Sequence, residues 1–310
     1  MPVEVTGALS GQPPVTRQFR SSPAEEHGVK HAIQFISVFA AIVLIAAAPG
    51  SAEVRVTANA EMGFLRSLYH DIQIGEDGYR FNYVKEGGQE ILMPFSRFEI
   101  QTVINDRTQL NFLYQPLTLN TKTRVDRAGG IKVDGLVFAD DTPLDLQYGF
   151  DFYRLTWRRL VSMEPWQLWL GAALQIRNAS IIFDGYDAGG DEIRAMSQDL
   201  GPVPVLSMAL RRKYPQGAFL AATLEGFFAP VKYLNLRDVD VVGWLYDAAF
   251  LFGVPVRPDS EAYISLRFVG GGAEGTGSDR KYWTQSRDVP RWTWNNLNLA
   301  IVSLGMRLHL

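Results

Sequence analysis

The 310 residues include four histidines, at positions 27, 31, 70 and 309, and no cysteine. Without thiols the chain has no thiolate nucleophile, no disulfide and no cysteine-held zinc or iron–sulfur group. Four scattered histidines do not make a metal centre either, so no cofactor is expected. His70 is the one candidate for catalysis. It stands in Ser67-Leu68-Tyr69-His70-Asp71, which holds a hydroxyl nucleophile, an imidazole base and a carboxylate. Hydrolase triads, however, converge from different elements, and five consecutive residues read rather as the exposed end of the first strand or its following loop. No catalytic residue is therefore assigned. Asp140-Asp141, and Asp184 and Asp187 with Asp191-Glu192, offer paired carboxylates for acid–base work. Their polar, turn-rich setting reads as solvated loop charge. Gly270-Gly271-Gly272, followed by Glu274, Gly275 and Gly277, lacks the strand–glycine–helix context of a phosphate loop and reads as a flexible loop entrance.

A second set of charges is more telling, because it falls inside segments of strict alternation. Arg97, Glu99, Arg177, Glu225, Asp247 and Arg267 each lie on the polar face of a period-two stretch, where buried charge needs partners. Glu99, Glu225 and Asp247 are accordingly expected to pair with Arg97, Arg177 and Arg267. Phe98 and Ile100 oppose Arg97 and Glu99. Leu168, Leu170, Leu174 and Ile176 oppose Gln167, Gln175 and Arg177. Leu220, Leu224 and Phe228 oppose Glu225; Phe250 and Phe252 oppose Asp247; Ile264, Leu266 and Phe268 oppose Arg267. The last stretch sets Val302, Leu304, Met306 and Leu308 against Ser303, Gly305 and Arg307.

Such segments predict β-strands starting near residues 54, 91, 107, 144, 166, 203, 217, 239, 261 and 296. The fold class is thus all-β, an antiparallel up-and-down transmembrane barrel of ten strands. Twelve would follow if the short alternating stretches Tyr79–Lys85 and Ile131–Phe138 entered the membrane band; eight leaves too much chain unassigned. Three features favour lipid against the apolar face. Charges sit in mid-strand on the other face. Connections alternate between short (Asn105–Arg107, Val161–Pro165, Arg212–Gln216, Pro255–Ser260) and long (Thr121–Thr142, Asp184–Pro202, Pro230–Asp240, Gly271–Asn295), as barrel rims do. Aromatics suited to interfacial girdles, among them Trp157, Trp166, Trp169, Tyr214, Phe228, Trp292 and Trp294, mark strand ends. A secreted β-sandwich or lipocalin-like barrel is the soluble alternative. Between Phe152 and Leu155 the apolar parity flips, which suggests a bulge. A ten-stranded barrel is largely filled by side chains, so a wide pore is not expected.

Composition agrees. With 47% hydrophobic and 20% charged residues and a mean hydropathy of −0.04, the chain is neither disordered nor a bundle of membrane helices. Thirty Lys and Arg against thirty-three Asp and Glu, net −3, give no basis for nucleic-acid binding. Residues 29–52 read as a cleaved signal peptide. Ala32–Ala48 is a 17-residue uncharged run after Lys30-His31, shorter than the roughly 20 apolar residues of a spanning helix, and Pro49-Gly50-Ser51-Ala52 is a small-residue exit. An uncleaved anchor is the alternative. Residues 1–28 are polar and read as a disordered extension or a misassigned start, leaving 53–310 as the barrel.

The stretch Gly135–Phe138 and Leu146–Arg158, together with the alternation over 88–310, resembles the small outer-membrane β-barrel proteins of Gram-negative bacteria. That family usually ends on an aromatic; here the final residue is Leu310. The resemblance implies residence in the cell outer membrane, with outer-membrane lipid and lipopolysaccharide as surroundings and the outer-membrane assembly machinery as partner during biogenesis. Loop acids such as Asp140-Asp141 then also suit divalent-cation bridging to lipopolysaccharide. Some barrels of this size are lipid- or peptide-modifying enzymes, most using a histidine at the outer rim, and this keeps His70 in view. The function expected is a structural or binding one, exercised through long extracellular loops, particularly 271–295, above a filled polar lumen. A narrow small-solute channel and a barrel enzyme using His70 are the alternatives; the extracellular ligand is not specified by the sequence.

Overall fold

A computed structural model describes residues 53–230, 240–279 and 289–310. The proposed signal peptide and extension, 1–52, lie outside these, as do Tyr282 and Trp283 of the last long connection. Every regular element among the described residues is a strand: β1 (Val54–Ile74), β2 (Phe81–Asn82), β3 (Met93–Ile104), β4 (Thr108–Gln115), β5 (Thr118–Arg124), β6 (Ile131–Val133), β7 (Leu136–Phe138), β8 (Pro143–Ser162), β9 (Gln167–Tyr186), β10 (Glu192–Lys213), β11 (Phe219–Pro230), β12 (Asp240–Arg257), β13 (Ser260–Asp279) and β14 (Val289–His309).

Ten of these form a closed antiparallel barrel. Each long strand pairs with its sequence neighbour, and β14 returns to β1 from Thr57↔His309 to Ile74↔Thr293. β4 and β5 together make one wall strand against β8, interrupted at Pro116, which has no N–H to give the ladder. The two short stretches that could have raised the count to twelve stay out of the wall. β2 pairs only with Asp71 and Ile72 of β1, and β6–β7 is a separate hairpin. That hairpin turns on Asp134 and Gly135 (φ 54° and 75°), the residue pair a type I′ turn requires. At the opposite rim Asn105 and Asp106 adopt φ of 50° and 54° to join β3 to β4.

Two of the long connections prove much shorter. β10 begins at Glu192, paired with Tyr186, and β13 and β14 continue to the pair Asp279↔Val289. The reading of 184–202 and 271–295 as loops is corrected for the same reason in both. Prolines 202 and 204 and the glycines near 271 interrupt the pattern of side chains without interrupting the ladder. Gly270, Gly271 and Gly272 are ladder residues in β13, not a flexible entrance. A Cβ on Gly270 would meet the Tyr246 ring, and one on Gly272 the Trp244 ring.

Strands of 20–22 residues are about twice the 9–11 needed to cross a bilayer, and the wall changes character halfway. On β8 the inward residues run Leu144, Leu146, Tyr148 and Phe152, then Arg154, Thr156 and Arg158; outside, Asp145 and Gln147 give way to Leu155 and Trp157. On β9 the outward Leu170, Leu174 and Ile176 give way to Asn178, while inside Gln175 and Arg177 are succeeded by Ala179, Ile181 and Phe183. On β14 the outward Leu304 is 71% exposed and the inward Leu299 fully buried. The pairing across β8 shows no irregularity at the parity flip; the register shift lies at Leu160/Ser162. The expected bulge is therefore corrected. Alternation is continuous, and what inverts is the environment of each face. Near the short turns the outside is apolar and the inside polar. In the far half, here called the head, an apolar core of Leu65, Ile72, Phe81, Tyr83, Phe183 and Leu299 fills the interior.

Candidate functional site

The lumen has three levels. In the middle, buried charges from six wall strands meet. Asp247 on β12, 1% exposed, accepts from Arg267 Nη1 (2.7 Å), Arg154 Nη1 (3.1 Å) and Arg97 Nη1 (3.3 Å). Glu225 on β11 accepts from Arg158 Nη2 (2.9 Å) and Ser207 Oγ (2.8 Å), and pairs with Arg154. Glu61 on β1 takes Arg267 Nη2 (3.2 Å) and Ser303 Oγ (2.9 Å), while Glu99 lies 3.5 Å from Arg97. Gln115 and Gln175 cap Arg97 and Arg154 (3.0 and 2.9 Å). Charge-assisted hydrogen bonds of this number offset the cost of burial that a lone ion would carry.

Of the six lumen charges read from the sequence, Arg97, Glu99, Glu225, Asp247 and Arg267 meet in this layer. Arg177 stands one level higher, 6.0 Å from the centroid of Phe150. The sequence reading missed Glu61, Arg154 and Arg158. Arg154 and Arg158 were recognisable as polar-face residues of an alternating strand, but which charges pair depends on register across six strands. The lumen is also polar only in this half; the expectation of a polar filling throughout is corrected by the apolar core of the head.

In the head, residues 75–92 pair with β1 at Phe81 and Asn82, send Phe81, Tyr83 and Gln89 into the interior, and pass at Gly88 beside the Lys122 carbonyl of β5. Tyr83 is fully buried, stacked on His70 at 4.2 Å between ring centroids, with Tyr148 edge-on at 4.3 Å. His70 is thus not an exposed strand end: it is 0% exposed. Its Nδ1 lies 2.7 Å from Gln89 Oε1, to which Ser67 Oγ also donates (3.3 Å). His70 Nε2, Tyr83 Oη and Gln89 Nε2 have no hydrogen-bond partner among the described residues. Asp71 faces elsewhere, accepting from Tyr69 Oη (2.8 Å) and Arg80 Nε (3.2 Å). Ser67, His70 and Asp71 therefore do not assemble a triad, because neighbours on a strand point apart. The segment's outer edge is tied down by Lys132, which holds the Asp77 carboxyl below its usual range through their hydrogen bond. Burial, then a 2.9 Å bond to Glu86, holds the Tyr79 phenol above its own range.

The loop carboxylates serve local structure. Asp140 accepts from the N–H of Arg127, Asp141 pairs with Arg124, and Asp187 caps its own turn through Gly189 N (2.8 Å). No group of three or more His, Asp or Glu suited to a metal ion occurs among the described residues. Trp169, read as a girdle residue, points into the lumen at 8% exposure. Trp157 and Phe228 face outward, as interfacial residues do.

At the short-turn end a vestibule of about 430 Å³ reaches up to the charge layer, with Glu61, Glu99, Arg158 and Glu225 at its lining, and is lined nearer the mouth by Arg55, Asn59, Arg211, Lys213, Arg307 and His309.

No family model matches the sequence, and no curated protein matches it. Solved structures with a similar strand arrangement are outer-membrane barrels. The outer membrane protease OmpT of Escherichia coli is 10% identical, with a TM-score of 0.46 over 83% of this chain and 97% of its own. The Pseudomonas putida toluene transporter TodX (8% identical, TM-score 0.29) covers 83% and 90%. OprG of Pseudomonas aeruginosa (7%, TM-score 0.27) covers 84% and 99%. A protease and a toluene transporter are thus both among them.

Proposed function

We propose that this chain is a Gram-negative outer-membrane barrel, exported by a cleaved signal peptide, that is closed to solute flow and works by binding rather than catalysis. The observation that carries the reading is the inversion of the wall. An apolar outer belt over a polar interior suits lipid, whereas the head, polar outside and apolar inside, suits water. The short-turn rim and the start of β1 then face the periplasm, and the head projects from the cell with the long connections. Outer-membrane lipid surrounds the belt, lipopolysaccharide meets the head's base, and the assembly machinery inserts the chain.

Closure is supported twice over, by the charge layer around Asp247 and by the apolar core above it. A non-enzymatic role is supported by His70, which is sealed beneath Tyr83. In a planar bilayer the purified protein is expected to give no discrete conductance steps; reproducible unitary steps would overturn closure and favour the narrow-channel alternative.

The belt has its own test. Leu304 lies between Met62 and Ile264 on the outer face. Leu304→Arg is expected to lose about 2–4 kcal/mol of folding stability in lipid vesicles. Gln147→Arg, on the head's outer face, should change little. Equal effects at the two positions would contradict the placement of the membrane band.

A further inference from the structure

The charge layer and the vestibule beneath it are balanced differently. In the layer, Glu61, Glu99, Glu225 and Asp247 face Arg97, Arg154, Arg158 and Arg267, four charges of each sign. Nearer the mouth, three cations converge on one carboxylate. Glu261 lies 2.6 Å from Arg211 Nη2, 3.1 Å from Arg307 Nη1 and 3.5 Å from Lys213 Nζ. Arg55, on the neighbouring strand β1, is already matched by Asp106 and Glu53. Three positive charges against one negative leave a surplus of two inside a concave space, and low-dielectric walls focus such a field.

The cations are also held in shape. The guanidinium carbons of Arg211 and Arg307 lie 4.1 and 5.4 Å from the centroid of the same ring, that of the fully buried Phe219. Stacking fixes both planar forks before any ligand arrives, which reduces the entropy lost on binding. Arg307 is further oriented by Nε donating to Asn59 Oδ1 at 2.8 Å. Arg211 spends only Nη2 on Glu261, and its Nε is buried with no partner among the described residues.

We infer that the vestibule is a binding site for small oxyanion-bearing solutes, phosphates or carboxylates, held by Arg211, Arg307 and Lys213. Its volume falls within the usual range for small-molecule sites, about 300–1,000 Å³, and planar guanidinium forks match both anion types. Because the lumen is closed above, the solute enters and leaves by the same mouth. That this mouth faces the periplasm rests on the membrane reading above; the binding chemistry does not.

The test is calorimetric titration of the folded full-length mature barrel in zwitterionic detergent at low salt, with inorganic phosphate and, separately, citrate. Saturable binding of either supports the site, and which one binds names the oxyanion. Lys213→Gln is expected to weaken it by about tenfold, as loss of a charge-assisted bond does. The Lys213 side chain is 60% exposed, so its loss spares the fold. Glu261→Gln is expected to tighten binding, a change of sign that general loosening would not produce. Absence of saturable heat with both anions, or affinity unchanged in both Lys213→Gln and Arg211→Gln, would overturn the inference. Heat-modifiable gel mobility checks folding in each variant, and since no bilayer is used, the outcome is independent of the conductance result.

Discussion

Replacing Asp247 by alanine is expected to destabilise the barrel by about 3–5 kcal/mol, the range for removing one partner of a buried ionic group. Asp247 is the carboxylate at which Arg97, Arg154 and Arg267 meet, and each is nearly excluded from solvent. Without it, the remaining acids of the layer, Glu61, Glu99 and Glu225, face four guanidiniums, and like charges crowd in a lumen too narrow for full hydration. Asp247→Asn keeps the shape and loses the charge, so it should fall between wild type and Asp247→Ala. The midpoint of urea unfolding in detergent, followed by loss of the compact gel band, reads the effect. A shift of less than about 1 kcal/mol for Asp247→Ala, the size of an exposed pair, would mean that water reaches the layer and that the lumen is more open than described.

The second large effect concerns Tyr83. Tyr83→Ala leaves a cavity beside His70, Phe81 and Phe183 and is expected to cost about 3–5 kcal/mol, as for other large aromatics cut to alanine. Tyr83→Phe should be neutral or mildly stabilising, because the hydroxyl it removes is buried without a partner among the described residues. The contrast separates packing from hydrogen bonding. Because Tyr83 anchors residues 75–92, the alanine variant should also expose that segment to proteolysis at Lys85, while the phenylalanine variant should not. Equal protease resistance in all three proteins would show that the segment is held by its rim contacts, such as Asp77–Lys132, and that Tyr83 merely fills space.

Particular strands show how much was legible beforehand. In β8, the alternation of Leu155 and Trp157 with Arg154, Thr156 and Arg158 located the strand and its polar face. The same strand misled at Phe152, where the apolar parity changes. A bulge and a change of surroundings leave the same mark on a sequence; only the unbroken pairing of Phe152 with Arg177 and Leu155 with Leu174 distinguishes them. In β10, residues 184–202 read as a loop ending at Pro202, which lacks the ladder donor, yet the strand runs through them from Glu192. His70 was legible as a titratable group and illegible as a buried one. Its cover, Tyr83, comes from a segment with too few residues in regular structure to declare which way it folds.

The sequence by itself determined the absence of thiol chemistry, the all-β class, the ten wall strands and most of the charges that meet in the lumen. Period-two alternation is a local property, and each strand records it in its own residues. The tertiary structure decided which acid meets which arginine, where the wall turns inside out, and that the head is plugged by residues 75–92. It also gathered Arg211, Lys213, Glu261 and Arg307 from three strands around one cavity. Those outcomes depend on register and closure, and the distance between residues far apart in the chain is set only when β14 pairs with β1.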